Sequence, residues 1–223
     1  MKFIIITLFP EMFSGVIDSS ILGRGHAKGL IDFEFVNLRD FGIGLRKKVD
    51  DTPYGGGVGM VLRVDVMSAA IEFAKKKTNN ASKIILMTPQ GNRLTQPKLK
   101  NMAQFKGDYI IICGHYEGFD ERIRSLVDEE ISVGDFVLTG GELPAMILVD
   151  GISRLLDGVL GKNESHIDET HSICGRIEYP HYTRPEIWQG LRVPEILRSG
   201  NHKEIDAWRN VQSKIKSSNS FKG

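Results

Sequence analysis

Short apolar runs followed by turns most constrain the fold of this 223-residue chain. Two of them, residues 83–87 and 109–113, are dense in isoleucine and show little alternation of apolar with polar residues. This pattern is typical of parallel strands that are covered on both faces. We predict buried strands there and at residues 3–8 and 33–37, with a weaker candidate at residues 136–138.

Helical patterns alternate with these runs, at residues 64–76, 96–102, 121–127 and 144–157. The last begins with Pro144, a residue favoured in the first turn of a helix, and continues with apolar residues at helical spacing. Strands that alternate with helices indicate an α/β fold with a mostly parallel sheet.

The carboxyl-terminal part of the chain has a different pattern. Residues 161–177 are polar without an apolar period, which predicts a linker or a functional loop. Residues 185–209 have an apolar side and predict a small helical module, whereas residues 213–223 should fray. We therefore expect a main domain over residues 1–160, a linker, and a small helical domain over residues 178–223.

The charge is unevenly distributed, although the formal net charge is only +1. Counting Lys, Arg, Asp and Glu, residues 1–113 carry +6, residues 114–178 carry −9 and residues 179–223 carry +4. Two basic ends could contact one polyanion. On charge alone, three separately solvated surfaces are the simpler interpretation.

The compartment can be inferred from what the sequence lacks. Two cysteines, Cys113 and Cys174, are too few for a disulfide framework, and no Cys/His spacing resembles a zinc site. There is no signal-peptide pattern and no apolar stretch near the ~20 residues of a membrane helix. We expect a cytoplasmic protein.

Glycine-bearing turns follow three of the predicted strands. They are Thr88-Pro89-Gln90-Gly91, Gly114-His115-Tyr116-Glu117-Gly118 and Thr139-Gly140-Gly141-Glu142. Ligands of open α/β sheets bind beyond the carboxyl ends of the strands, and glycine lets a backbone approach a ligand closely. One such turn is ordinary, but three favour a pocket lined by backbone groups.

The pocket lacks the patterns that hold phosphates. No P-loop motif is present and no Gly-x-Gly-x-x-Gly follows a strand; the nearest string, residues 55–59, follows a turn-rich loop. A nucleoside-type ligand bound mainly through backbone groups therefore fits better than a di- or triphosphate.

Several charged residues near these turns are candidates for proton transfer or ligand binding. Glu117, Asp168 and Glu169 could act as general bases. From spacing alone, a helix cap for Glu117 and solvated side chains for Asp168 and Glu169 are the simpler interpretations. For Arg154, spacing does not decide between an ordinary surface arginine and one that faces a ligand.

A series of short strings spans nearly the whole chain in a fixed order. They are Leu8-Phe9-Pro10-Glu11-Met12-Phe13, residues 49–57 with Gly59-Met60, Pro89-Gln90-Gly91, Cys113-Gly114, Tyr116-Glu117-Gly118, Asp120-Glu121-Arg122, residues 140–146, residues 180–185 and Ser199-Gly200-Asn201-His202. Through them the chain resembles the bacterial tRNA (guanine-N1)-methyltransferases of the trefoil-knot methyltransferase superfamily.

The resemblance implies a deep trefoil knot, a fold that departs from the usual unknotted chain. The three glycine turns would form this knot and hold S-adenosylmethionine in a bent shape. The resemblance also implies a homodimer with active sites built from both chains, and a small carboxyl-terminal domain that clamps the tRNA anticodon stem-loop together with the linker. The matching pocket residues are Thr88, Pro89, Gly91, Gly114, Glu117, Gly118, Val133, Gly134, Asp135, Phe136, Val137, Leu138, Gly140 and Gly141.

The implied reaction methylates N1 of the guanosine at position 37, beside the anticodon. A base must remove the N1 proton, and Arg154 is the family match for stabilising charge on guanine O6. The family base is Asp followed by Ser; the match here is Glu169 before Thr170, with Asp168 in reserve. Magnesium assists in the family, but no ligand cluster identifies a site for it.

The sequence departs from the family pattern at further positions. His115 stands where Arg is common, Val58 where Pro is common and Phe136 where Tyr is common, and the carboxyl-terminal domain is short. These departures put specific contacts and tRNA binding in question. A knotted methyltransferase acting on a ribose hydroxyl and a non-catalytic RNA-binding protein stay as alternatives, and the missing fingerprint disfavours a Rossmann-type oxidoreductase.

Overall fold

The computed structural model describes residues 1–161, 169–171 and 175–220, without the side chains of residues 219 and 220. Asp168 and Cys174 lie outside the described residues. The chain divides into two compact units, Met1–Lys162 and Asn163–Gly223. Within the described ranges, no helix is long and apolar enough to cross a membrane.

The first unit is built on strands and helices that alternate along the chain. Its strands are β1 (Lys2–Thr7), β2 (Asp32–Asn37), β3 (Asp50–Asp51), β4 (Val61–Leu62), β5 (Ser82–Arg93), β6 (Asp108–Cys113) and β7 (Glu129–Ser132). Its α-helices are α1 (Ser14–Ile17), α2 (Ser20–Ala27), α3 (Val64–Lys75), α4 (Gln96–Gln104) and α5 (Glu142–Ser153), with 3-10 helices at Pro10–Phe13, Leu38–Phe41 and Glu121–Leu126.

Five of these strands form one parallel sheet in the order β2-β1-β6-β5-β7. Central strand β6 is buried along its whole length because helices cover both faces of the sheet. Ile111 packs into the layer that contains residues of α2, α4 and α5, and Ile110 packs into the layer of α3. The predicted α/β class with a parallel sheet is confirmed, and the trefoil knot stays a prediction.

The predicted strands at residues 3–8, 33–37, 83–87 and 109–113 are found as β1, β2, the first half of β5, and β6. The prediction at residues 136–138 is wrong, because that run is irregular and its apolar side chains are exposed. The edge strand β7 lies a few residues earlier. Hydropathy did not predict this strand, because Glu129 and Glu130 interrupt its apolar pattern. The two glutamates pair with Lys98 and Arg124 beside the sheet.

The helix predictions differ from the structure mainly at their ends. Residues 121–127 form a 3-10 helix rather than an α-helix, and α5 begins two residues before Pro144 and ends at Ser153. Strand β5 continues through Pro89 to Arg93 because a register shift lets it pair again with β7 after Met87. Helices α1 and α2 were not predicted.

The second unit contains more than the predicted helical module. A two-stranded hairpin pairs β8 (Ile187–Trp188) with β9 (Leu191–Arg192), and its turn has positive φ at Gln189 and Gly190. A 3-10 helix at Glu195–Arg198 precedes α6 (His202–Ser220). The expected helix from residue 185 is therefore wrong over the hairpin, because Gly190 supplies a tight turn.

Fraying from residue 213 is also wrong, since α6 continues to Ser220. Ser213 is buried and donates a hydrogen bond to the carbonyl of Ile177, and Ser217 Oγ accepts one from the Ile177 N–H at 2.8 Å. These two hydrogen bonds hold α6 against the segment that contains Ile177. The sequence shows only polar residues at these helix positions and does not predict the contact.

Shortening a buried side chain of the central strand β6 should destabilise the first unit. We expect Ile111→Ala to lower the free energy of unfolding by about 2–5 kcal/mol, because it leaves a cavity between two packed layers. Ile43→Ala is the matched control, since Ile43 is 47% exposed, and should change stability by less than ~0.5 kcal/mol. Urea denaturation followed by circular dichroism measures both; equal losses would contradict the central role of β6.

Candidate functional site

A cavity of about 270 Å³ lies in the first unit where β6 and β7 end and where β5 shifts its register. Three segments line it: residues 88–90 of β5, residues 114–121 after β6, and residues 136–141 between β7 and α5, the last together with Ser132 and Val133. The cavity occupies the position that the three glycine-bearing segments predict. The prediction of a turn at residues 88–91 is wrong, because these residues continue strand β5.

Most of the predicted pocket residues line this cavity. They are Thr88, Pro89, Gly114, Glu117, Gly118, Val133, Phe136, Val137, Leu138, Gly140 and Gly141. The lining also includes residues outside the pocket set that the resemblance gives: Gln90, His115 and Tyr116, which lie within the glycine-bearing segments, and Phe119, Asp120 and Arg124. All but Arg124 lie within or directly beside the matched strings, so proximity to a motif could have identified them.

Gly91, Gly134 and Asp135 are not among the lining residues. At Gly91 a Cβ atom would lie 2.5 Å from the Ile131 nitrogen, so glycine allows β5 to pass closely beside β7. The Asp135 carboxylate forms an ion pair with Arg93. These residues shape the cavity's surroundings, and a direct contact with a ligand stays a prediction for them.

Two of the loops touch through their backbones. The Gly141 N–H donates to the Gly114 carbonyl at 2.8 Å, and His115 forms an isolated β-bridge with Gly140. A Cβ atom on Gly141 would lie 2.6 Å from the Gly114 nitrogen and 2.7 Å from Cys113 Cα. Because backbone atoms cannot move aside as a flexible side chain can, only glycine fits at position 141 without a rearrangement.

A buried carboxylate lies next to the contact between these two loops. Glu142, in the first turn of α5, is buried, and its Oε1 accepts a hydrogen bond of 2.7 Å from the Thr7 hydroxyl. Thr7 Oγ1 in turn accepts the Phe9 N–H at 3.0 Å. Burying a carboxylate is costly unless it is hydrogen-bonded, and the start of a helix favours negative charge. Glu142 therefore joins β1 to the helix that follows the last turn.

Glu117 does not cap the following helix, so that interpretation is wrong. Asp120 occupies the cap, where its side chain accepts the Arg122 N–H at 3.0 Å. Hydrogen bonding from the Arg122 side chain lowers the pKa of Asp120 to about 2. Glu117 instead packs against the glycine-rich segment, since a Cβ on Gly59 would lie 2.3 Å from Glu117 Cγ.

The cysteine beside the cavity is not a nucleophile. Cys113 is fully enclosed, and burial raises the pKa of its thiol well above the usual value, with the nearby Glu142 carboxylate adding to the effect. A thiol reacts through its thiolate form. Cys113 is therefore a packing residue at the end of β6.

The two predicted catalytic residues belong to different units. Arg154 follows α5 in the first unit, where it is half-buried and its backbone N–H donates to Asp150 at 3.0 Å. Glu169 lies in the second unit and is also half-buried, next to Thr170, whose hydroxyl accepts the Glu178 N–H at 3.1 Å. The choice between Glu169 and Asp168 stays open, because Asp168 is outside the described ranges.

The cavity combines backbone polar groups with apolar side chains. Its backbone-rich turns lie beside exposed apolar side chains, of which Phe136 is 54% and Val137 is 80% exposed. In the part of the chain that the structure describes, no three His, Cys, Asp or Glu side chains gather as metal ligands. An aromatic base can pack on the apolar side while backbone groups hold the polar end of the same ligand.

Comparison with known proteins gives the family. The profile of the family described as tRNA (Guanine-1)-methyltransferase TrmD matches residues 1–221. A Bacillus subtilis (strain 168) protein named tRNA (guanine-N(1)-)-methyltransferase is 53% identical over 214 residues, covering 96% of the chain and 87% of the relative. Proteins of that name from Bacillus pumilus (strain SAFR-032) and Bacillus cereus (strain AH820) are 51% and 49% identical over the same shares. The chain therefore belongs to the tRNA (guanine-1)-methyltransferase TrmD family.

Proposed function

We propose that the chain transfers a methyl group from S-adenosylmethionine to N1 of the guanosine at position 37 of tRNA, next to the anticodon. The observation that carries this proposal is the glycine-lined cavity at the edge of the sheet, in a chain of this family. A cytoplasmic location is part of the proposal.

The residues of the cavity fit the methyl donor. Bound S-adenosylmethionine would supply a methyl group on a positively charged sulfur, which is already electrophilic. Of the lining carboxylates, Asp120 is paired with Arg122, and Glu121 is paired with Arg124, which also pairs with Glu130. Glu117 is the lining carboxylate without an ion-pair partner among the described residues, so it contributes negative charge to the cavity. A negative lining attracts a cation, and the apolar residues 136–138 offer a surface for adenine.

The proton chemistry needs a base. Guanine N1 carries a proton and is a poor nucleophile until that proton leaves. We assign its removal to the Glu169 carboxylate, with Asp168 as the alternative. Arg154 would stabilise the negative charge that develops on guanine O6, because a guanidinium keeps its charge at any physiological pH.

The second unit would bind the tRNA. Residues 179–223 carry a net charge of +4 by count, which favours contact with phosphates. Its hairpin exposes Trp188, which is 58% accessible, and Tyr182 is exposed as well. Unpaired bases of RNA loops stack on such rings, and a guanine is easier to extract from a loop than from a duplex.

A homodimer, with active sites that draw on both chains, is part of the proposal. Met12 is exposed in the 3-10 helix Pro10–Phe13, which contacts α5, and Val16 is exposed on α1; Leu143 and Ile147 are exposed one turn apart on α5. An exposed apolar stripe of this kind favours association. A knotted crossing of the three cavity loops would agree with the backbone contact of Gly114 with Gly141. Magnesium stays an expectation drawn from the family.

The activity is tested directly with RNA. Labelled S-adenosylmethionine should label a tRNA transcript that carries G37, and digestion with mass spectrometry should identify 1-methylguanosine. The same transcript with A37 is the control and should stay unlabelled. A 2′-O-methylated nucleoside would favour the ribose-hydroxyl alternative, and tRNA binding without any transfer would favour a non-catalytic protein.

The close contact of the Gly114 and Gly141 loops predicts that one added methyl group at position 141 weakens ligand binding. Gly141→Ala should weaken donor binding by at least about tenfold, because the added Cβ would force the Gly114 loop away and change the shape of the cavity. Gly15→Ala is the matched control, since a Cβ there meets nothing within 4 Å. Isothermal titration calorimetry compares the two, and similar affinities would argue against the cavity as the donor site.

Removing the base should slow the reaction without changing the donor site. Glu169→Gln is expected to reduce the single-turnover rate by about 10²–10⁴-fold while the affinity for S-adenosylmethionine is unchanged. Glu195→Gln, in the same unit, serves as the control and should keep the full rate. If Asp168→Asn shows the loss instead, the base is Asp168; if neither does, a carboxylate base at this position is wrong.

A further inference from the structure

The imidazole of His115 forms part of the cavity wall. Its ring lies between Phe9, with centroids 5.1 Å apart, and Tyr116, which meets it edge-on at 4.8 Å. Nδ1 is buried and has no hydrogen-bond partner among the described residues. Since the ring lines the cavity with Nδ1 turned inward, Nε2 is the nitrogen that a ligand can reach.

The buried nitrogen faces the carboxylate of Glu142 across Gly140. A Cβ atom built on Gly140 would lie 3.0 Å from His115 Nδ1 and 2.4 Å from Glu142 Oε2. The two polar atoms therefore converge on one point, which only a glycine at position 140 leaves empty. Glu142 Oε1 already accepts the Thr7 hydroxyl, so Oε2 is the oxygen left for the imidazole.

This arrangement determines the role of each ring nitrogen. An ionised carboxylate only accepts hydrogen bonds, so pairing with Glu142 places the imidazole proton on Nδ1. In the neutral ring, Nε2 then carries a lone pair and accepts hydrogen bonds from the cavity. An Nδ1–H bond to Glu142 would satisfy a buried atom that otherwise lacks a partner.

We propose that His115, oriented by Glu142, binds the methyl donor by accepting a hydrogen bond at Nε2. This inference rests on the proposed function, because it assumes that the cavity holds S-adenosylmethionine. The group it recognises is a hydrogen-bond donor, which the ligand offers as a ribose hydroxyl or as the α-ammonium of its methionine end. His115 touches the ligand, and Glu142 is a positioning residue behind it.

Three substitutions separate the two ring nitrogens from the packing of the ring. His115→Phe keeps an aromatic ring between Phe9 and Tyr116 but removes both nitrogens. His115→Asn places an amide near the Nδ1 position, within reach of Glu142, and loses the group at Nε2. His115→Gln is longer and brings an amide oxygen close to the Nε2 position, so it should restore acceptance of the ligand's hydrogen bond.

Calorimetric titration with S-adenosylhomocysteine, the demethylated product, measures binding without turnover. We expect the Phe and Asn variants to bind about tenfold more weakly than the unchanged protein, and the Gln variant to lie within about threefold of it. Thermal melting of each variant checks that it is folded. If His115 has only a structural role, the opposite order is expected: the Phe variant binds S-adenosylhomocysteine normally, whereas the Gln and Asn variants both bind it weakly.

A second ligand identifies the recognised group. 5′-Methylthioadenosine keeps the ribose hydroxyls but lacks the amino-acid end. If His115→Phe weakens both ligands, the partner is a ribose hydroxyl; if it weakens only S-adenosylhomocysteine, the partner is the α-ammonium. Unchanged binding of both ligands by folded His115→Phe overturns the role of His115, whereas failure of the unchanged protein to bind either ligand overturns the proposed function itself.

Discussion

The direct contact of two peptide backbones, Gly114 with Gly141, is the constraint on which the cavity depends. A hydrogen bond of 2.8 Å joins the loop after β6 to the loop before α5, with no side chain between them. Side chains at this point would separate the loops and remove a wall of the cavity. Because both loops follow parallel strands of one sheet, the positions of β6 and β7 determine where the loops meet.

Near this contact, Thr7 and Glu142 form a hydrogen-bonded pair in an otherwise apolar core, and the buried Nδ1 of His115 lies beside the same loops. Buried polar groups are tolerated when they are paired, and the Thr7–Glu142 bond joins the first strand of the sheet to the last helix of the first unit. Residues 135 positions apart in the sequence therefore meet beside the contact of Gly114 with Gly141. In the cavity lining, Asp120 is paired with Arg122, which lowers the pKa of its carboxyl to about 2.

The sequence predicted what depends on local pattern. Isoleucine-rich runs predicted β6 and the first half of β5, and glycine-bearing segments predicted the position of the cavity. Burial and close backbone approach each require particular residue types over a few consecutive positions. The sequence did not predict the features that depend on pairing between residues far apart in the chain. Strand β7 contains two glutamates whose partners lie elsewhere in the chain, and His115 comes near Glu142 because the two loops touch. The base at Glu169 was inferred by resemblance, since spacing alone favoured a solvated side chain.

The enclosure of Cys113 has a practical consequence. Cys113 adjoins the contact of Gly114 with Gly141, and its side chain is enclosed by the surrounding residues. In a variant without the second cysteine, Cys174, the rate at which a thiol-specific reagent modifies Cys113 would report how often this edge of the sheet opens. A side chain already present in the protein thus reports local opening of this part of the sheet, with no engineered reporter group and no RNA.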